Sequence, residues 1–134
     1  MNIGGTSIAG IGPNNEALGG LVTNVVKVSW DDADDVIAAI DRVGEDNIAA
    51  FFCEPVMGAG GVIVPPPTYF PRLRQICDKY DVILVADETI DGFGRIGTMF
   101  ASEFYDFEPD MLVCAKGITS GYAPLGALMM NERF

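Results

Sequence analysis

Residues 82–130 read VILVADETIDGFGRIGTMFASEFYDFEPDMLVCAKGITSGYAPLGALMM, and the two apolar runs inside this stretch decide the fold. Val82 to Ala86 and Met111 to Cys114 are short and continuous, the pattern of strands buried in a parallel sheet rather than half-exposed ones. The first run ends at Asp87; Lys116 stands just past the second, 29 residues further on (116 − 87). Two successive strands ending in an acid and an amine can project both into one crevice at the carboxyl edge of the sheet, where open α/β proteins place their ligands.

Working outward, Thr68 to Tyr80 precedes the first run and reads as a helix, with Leu73, Ile76, Cys77 and Tyr80 on one side, Thr68 as cap and Pro71 in the first turn. VMGAGGVIVPPP before it is a shaped loop, because Gly58, Gly60 and Gly61 loosen the backbone and Pro65 to Pro67 remove three donors. Ile48 to Cys53 (IAAFFC) reads as another strand covered on both faces, ending at Glu54-Pro55. Asp32 to Val43 carries Ala33, Val36, Ile37 and Ile40 at helical spacing, with Ser29 or Asp31 as cap, aspartates in the first turn and Gly44 as stop. Leu21 to Val28 (LVTNVVKV) reads as a strand, and Met1 to Gly20 as loop or extended approach. Phe100 to Phe107 holds a helical turn, and Leu125 to Met130 a last strand. Strands alternating with helices predict an α/β fold with a mainly parallel sheet and helices on both faces.

The chain has 134 residues, 49% of them hydrophobic, enough for one domain with a substantial core. No apolar run approaches the roughly 20 residues of a membrane span, and the opening MNIGGTSIAG lacks a basic region before an apolar one. The expected compartment is cytoplasmic, with no membrane partner. A net charge of −11 argues against nucleic acid, whose phosphates it would repel. Histidine is absent, so catalysis must rest on Lys, Asp, Glu, Tyr or a cofactor. Cys53, Cys77 and Cys114 are odd in number and widely spaced, and read as reduced thiols rather than a metal or disulfide set. No metal site is expected.

Gly92-x-Gly94-x-x-Gly97 matches the letters of a dinucleotide fingerprint, but five residues separate it from Ala86 where the glycines should turn directly off the strand. It is better described as a Gly-rich loop carrying Arg95. A lysine is ordinarily a solubilising charge, and an acid at a strand end ordinarily a cap. Here Lys116 lies between a buried strand and a loop of small residues, a poorly hydrated setting that lowers an amine's pKa and makes it a usable nucleophile. A cofactor aldehyde that forms a Schiff base with lysine also needs a carboxylate beside its pyridine nitrogen, which keeps the ring protonated as an electron sink. One acid and one amine on neighbouring strands meet both requirements.

EPVMGAGGVIVPP (54–66), VADETIDGFGRIG (85–97) and AKGITSGYAPLGA (115–127) resemble, in order and spacing, motifs of the class III pyridoxal-phosphate-dependent aminotransferases, which share the fold type I architecture of aspartate aminotransferase. The likeness runs from about Ile11 onward and is strongest, in Met57 and GITSGY, with the omega-amino-acid:pyruvate branch. It implies that residues 1–134 are part of the large cofactor-binding domain. It implies pyridoxal 5'-phosphate held by Lys116 as a Schiff base, with Lys116 also the proton shuttle. Asp87 would pair with the pyridinium nitrogen, Thr89 press on the ring, and Glu54 lie near the substrate entrance.

The reaction implied is transfer of an amino group from an amine or omega-amino acid to a keto acid such as pyruvate, in a homodimer. An aminomutase on the same scaffold and a non-catalytic α/β piece are the alternatives. Thr89 and Ile96 depart from the family's usual valine and threonine, and Asp91 adds an acid that would raise neighbouring carboxylate pKa values unless solvent screens it. The phosphate-binding loop, stacking aromatic and substrate-carboxylate arginine of the family fall outside these residues. The chain therefore reads as a piece of something longer, expected to be inactive or nearly so alone.

Overall fold

A computed structural model describes residues 3–10, 12, 16 and 20–134. Its framework is a four-stranded sheet in the order β1 (Ala50–Cys53), β2 (Ile83–Asp87), β3 (Met111–Cys114), β4 (Ala127–Met130). β1 and β2 run parallel with Cys53 opposite Ala86, and β2 and β3 run parallel with Asp87 opposite Val113. β4 turns back antiparallel on β3, from Cys114 opposite Ala127 to Met111 opposite Met130. The expected mainly parallel sheet is therefore present, with one reversed edge strand.

Helices α2 (Asp35–Val43) and α3 (Tyr69–Lys79) pack together on one face of the sheet. Val36 and Ile40 of α2 recur at four-residue spacing and point inward with Phe70, Leu73, Ile76 and Cys77 of α3. Leu84 and Ala86 meet them from β2, alternate residues on one face of the strand. Tyr105 and Phe107, delivered by the short helix α4 (Ala101–Phe104), complete the core; Phe70 and Phe107 stack with ring centroids 4.3 Å apart. Gly44 ends α2 as expected, at φ 91°, its N–H donating to the Ile40 carbonyl. Its start differs: the helix begins at Asp35, and neither Ser29 nor Asp31 caps it. The Asp35 carboxylate instead accepts the Ser29 N–H, and Asp32 accepts that of Asp34. Thr68 stands at the start of α3 but makes no side-chain capping bond.

Three expectations are corrected. Residues 21–28 form no strand: β-branched composition makes an extended chain, but a strand needs a neighbour, and among the described residues Val22 donates its N–H to the Ser7 hydroxyl rather than to a strand. Part of the segment read as loop is helical, α1 (Ile3–Ile8), while the remainder of that reading lies largely outside the described residues. The sheet is covered on both faces at β2, where Leu84, Val85 and Ala86 are all buried, but not at its outer strands. Phe52, opposite in direction to the half-buried Phe51 and Cys53, is 47% exposed, and Leu128, Met129 and Met130 of β4 are exposed as well. Both α2 and α3 are committed to the other face. No helix among the described residues is long and apolar enough to cross a membrane.

Candidate functional site

The parallel register puts the acid and the amine at the same edge. Asp87 is the last residue of β2 and lies opposite Val113; the ladder continues one step, Glu88 N–H donating to the Val113 carbonyl at 2.8 Å. Lys116 follows three residues beyond Val113, at the start of a 3-10 turn, Lys116–Ile118. Asp87 is half-buried, and one oxygen, Oδ1, accepts the Thr89 N–H at 3.0 Å. Oδ2 and the Lys116 amine have no hydrogen-bond or ion-pair partner among the described residues. The lysine's setting differs from the expectation: Lys116 is exposed, because the small residues after it form an open turn rather than a cover.

Its backbone is unusual. Lys116 has φ 44°, a left-handed conformation that costs a non-glycine residue about 1 kcal/mol or more unless its surroundings enforce it. They do so on two sides. Ile118 N–H donates to the Ala115 carbonyl and Thr119 N–H to that of Lys116. On the other side Phe93 packs against Gly117 so closely that a Cβ there would lie 3.1 Å from its side chain. Phe93 is itself left-handed at φ 61°, held by its N–H bond to the Met99 carbonyl. The Gly-rich loop thus serves as a brace for the lysine turn; no helix opens within its glycines as a dinucleotide fingerprint would require, the short α4 starting only at Ala101.

Glu54 follows β1 at the same edge and is half-buried; its carboxylate accepts the Gly58 N–H at 3.0 Å, closing the loop expected there. The loop has one regular feature, Met57 and Ile63 exchanging both backbone bonds. Thr89 is half-buried, so its hydroxyl is not cut off from water. Asp91 is 2% exposed and accepts the Val56 N–H at 2.8 Å. Burial pushes its carboxyl up to about 6, against the opposing Val56 bond, with help from the negative charges of Glu88, Glu54 and Asp87. The acid whose proton affinity rises is thus Asp91 itself.

Sequence reasoning passed over Glu88. It is fully buried, and its two oxygens accept the N–H groups of Ala101 and Ser102 at 2.9 and 2.7 Å, so it caps the start of α4. An acid directly after a buried strand with a helical turn 13 residues on is too generic a signal to have found it. The three cysteines are free thiols, two buried and one half-buried. Burial raises Cys53 above the ordinary thiol range and Cys77 to about 11, so neither is a ready thiolate. Among the described residues no group of three or more potential ligands could hold a metal.

Comparison with known proteins agrees with this architecture. Residues 18–134 match the family described as aminotransferase class-III. A probable aminotransferase of Mycobacterium tuberculosis is 57% identical over 101 residues, 75% of this chain and 22% of the relative. The putrescine–pyruvate aminotransferase of Pseudomonas aeruginosa is 54% identical over 91 residues, 68% and 20%. The chain therefore spans about a fifth of the length of these relatives. Among solved structures, a transaminase from the marine bacterium Virgibacillus superposes with a TM-score of 0.92 at 43% identity, over 96% of this chain and 30% of that one. An amine transaminase from an uncultivated Pseudomonas species, in its pyridoxal-phosphate-bound form, gives 0.92 at 40%, over 98% and 34%. The fold is the fold type I arrangement of these enzymes, and the chain belongs to the class III aminotransferase family.

Proposed function

We propose that residues 1–134 are part of the cofactor-binding domain of an aminotransferase that moves an amino group from an amine or omega-amino acid to a keto acid such as pyruvate. One observation carries the reading: Asp87 and Lys116 lie at the carboxyl edge of the neighbouring parallel strands β2 and β3, each with a group left free of protein partners among the described residues. The name of the putrescine–pyruvate relative supports an amine donor and pyruvate as acceptor.

The donor set fits pyridoxal phosphate. When bound, that cofactor supplies an aldehyde for an amine and a ring that takes up electron density from the substrate carbon. Lys116 would hold the aldehyde carbon and, once displaced by substrate, move a proton at that carbon with the freed Nζ. Asp87, anchored through Oδ1 by Thr89, would offer Oδ2 to the ring N–H. Thr89 would stand against the ring face and Glu54 near the substrate entrance. The left-handed turn at Lys116 supports the reading, since strain of this kind persists where a side chain must be aimed. A homodimer in the cytoplasm belongs to the same reading and rests on the family resemblance.

Incubation of the chain with pyridoxal phosphate, borohydride reduction and peptide mapping tests the assignment. The reduced adduct is expected on Lys116 and absent from Lys116→Ala. Equal labelling of Lys27 or Lys79, or none at all, would reject it. The chain by itself is expected to turn over little or no substrate, because the phosphate-binding residues implied by the family are elsewhere. Measurable transamination would refute that.

A further inference from the structure

We propose that Asp91 is a positioning residue: its buried carboxyl fastens the loop after β1 to the loop after β2 and so fixes where the Glu54 carboxyl stands beside Asp87. Its functional meaning rests on reading this edge as the cofactor edge; the clasp itself rests on contacts.

Two of them join consecutive residues of the loop after β2, Ile90 and Asp91, to the loop after β1. Asp91 Oδ2 accepts the Val56 N–H, across 35 residues of sequence. Ile90 fills the space where Gly58 would carry a Cβ, which would lie 2.6 Å from its Cδ1. Gly58 in turn donates its N–H to Glu54. The Met57–Ile63 pairing makes the rest of the loop move with Val56, so displacing that residue displaces the Glu54 carboxyl too.

The groups facing Asp91 are Glu54 after β1, Asp87 and Glu88 at the end of β2, and Tyr105 after α4, whose phenol is raised first by burial and further by Asp91. No cation pairs with Asp91 among the described residues. Burial raises this carboxyl to about 6, so the stability it lends the clasp is full below the ordinary carboxylate pKa and is lost as pH rises from there through about 6. The neutral carboxyl still accepts the Val56 N–H through its carbonyl oxygen.

Nitrogen-15 NMR and amide exchange on the 134-residue chain test this without any cofactor, so failure here leaves the Lys116 labelling result standing, and the reverse. In the unaltered chain the Val56 amide is expected to titrate with a midpoint near 6; no movement between about pH 4.5 and 8 overturns the proposal. Asp91→Asn keeps an acceptor and removes the charge, so the titration should vanish while Val56 protection stays within about threefold. Asp91→Leu should speed exchange at Val56 and Gly58 about tenfold or more, relative to the Leu84 amide held by Asp110 at the opposite edge. Unchanged protection at Val56, or equal acceleration at Val56 and Leu84, overturns it. Should Asp91→Leu fail to fold, the unaltered chain and Asp91→Asn decide between them.

Discussion

Replacing Glu88 probes how the edge is built, because one side chain joins the end of β2 to the start of α4. Glu88 is fully buried, as is Ala101, and Ser102 is 5% exposed. Glu88→Leu removes both acceptors and leaves two helix N–H groups with neither carboxylate nor water. Each charge-assisted bond contributes about 1.5–3 kcal/mol, so the loss is about 3–6 kcal/mol. Glu88→Gln keeps one oxygen but turns an amide NH₂ toward the second donor, and should cost about half as much. Against a typical total of about 5–15 kcal/mol the leucine variant forfeits a large share of the fold's stability. Urea unfolding followed by circular dichroism and Trp30 fluorescence should give the order wild type, Gln, Leu. Leucine within about 1 kcal/mol of wild type, or glutamine as costly as leucine, would refute the cap as a source of stability.

Asp110 should behave with the opposite pH sign to Asp91. Burial alone would raise it, but the Leu84 N–H, the Arg74 guanidinium and Asn131 outweigh burial and hold it below the usual carboxylate range. Its stabilisation is thus present above its ordinary pKa and lost as pH falls through the lowered one. Asp110→Ala should cost about 3–5 kcal/mol at pH 7, and urea midpoints for the two proteins should converge in strong acid. Leu73→Ala, at a fully buried site between α3 and the sheet, should lose about 2–5 kcal/mol in the same assay. Gly58→Ala drives a methyl into Ile90 and should cost about 1–3 kcal/mol, part of it recovered in a double variant with Ile90→Ala; strict additivity of the two would show that no clash exists.

Much of the edge was legible because it depends on where apolar runs stop. Asp87 and Lys116 could be set on neighbouring strands from the runs before them, and the sheet bears this out. What depends on a distant partner was not legible. LVTNVVKV has strand composition yet pairs with no strand among the described residues, and composition cannot report that. The cover over Lys116 was inferred from small residues, which instead make a turn that leaves the amine exposed. Asp91 was marked as an added acid, but that it would reach Val56, 35 residues back, is a fact of loop packing rather than of spacing. Glu88 stood in plain view after Asp87, and only the placement of α4 gives it work.

The reversal of β4 against β3 bears on how this region can vary. Cys114 opposite Ala127 closes a connection covering residues 115–126, with Lys116 only two residues from the closing pair and Tyr122, 95% exposed, out at its tip. Changes of length near Tyr122 extend the tip and leave the lysine's place unaltered. A single insertion between Cys114 and Lys116 would shift the amine off the residue braced by Phe93. Length drift among related sequences should therefore collect around the tip, and a designer grafting new segments onto this edge has room there and none beside the lysine.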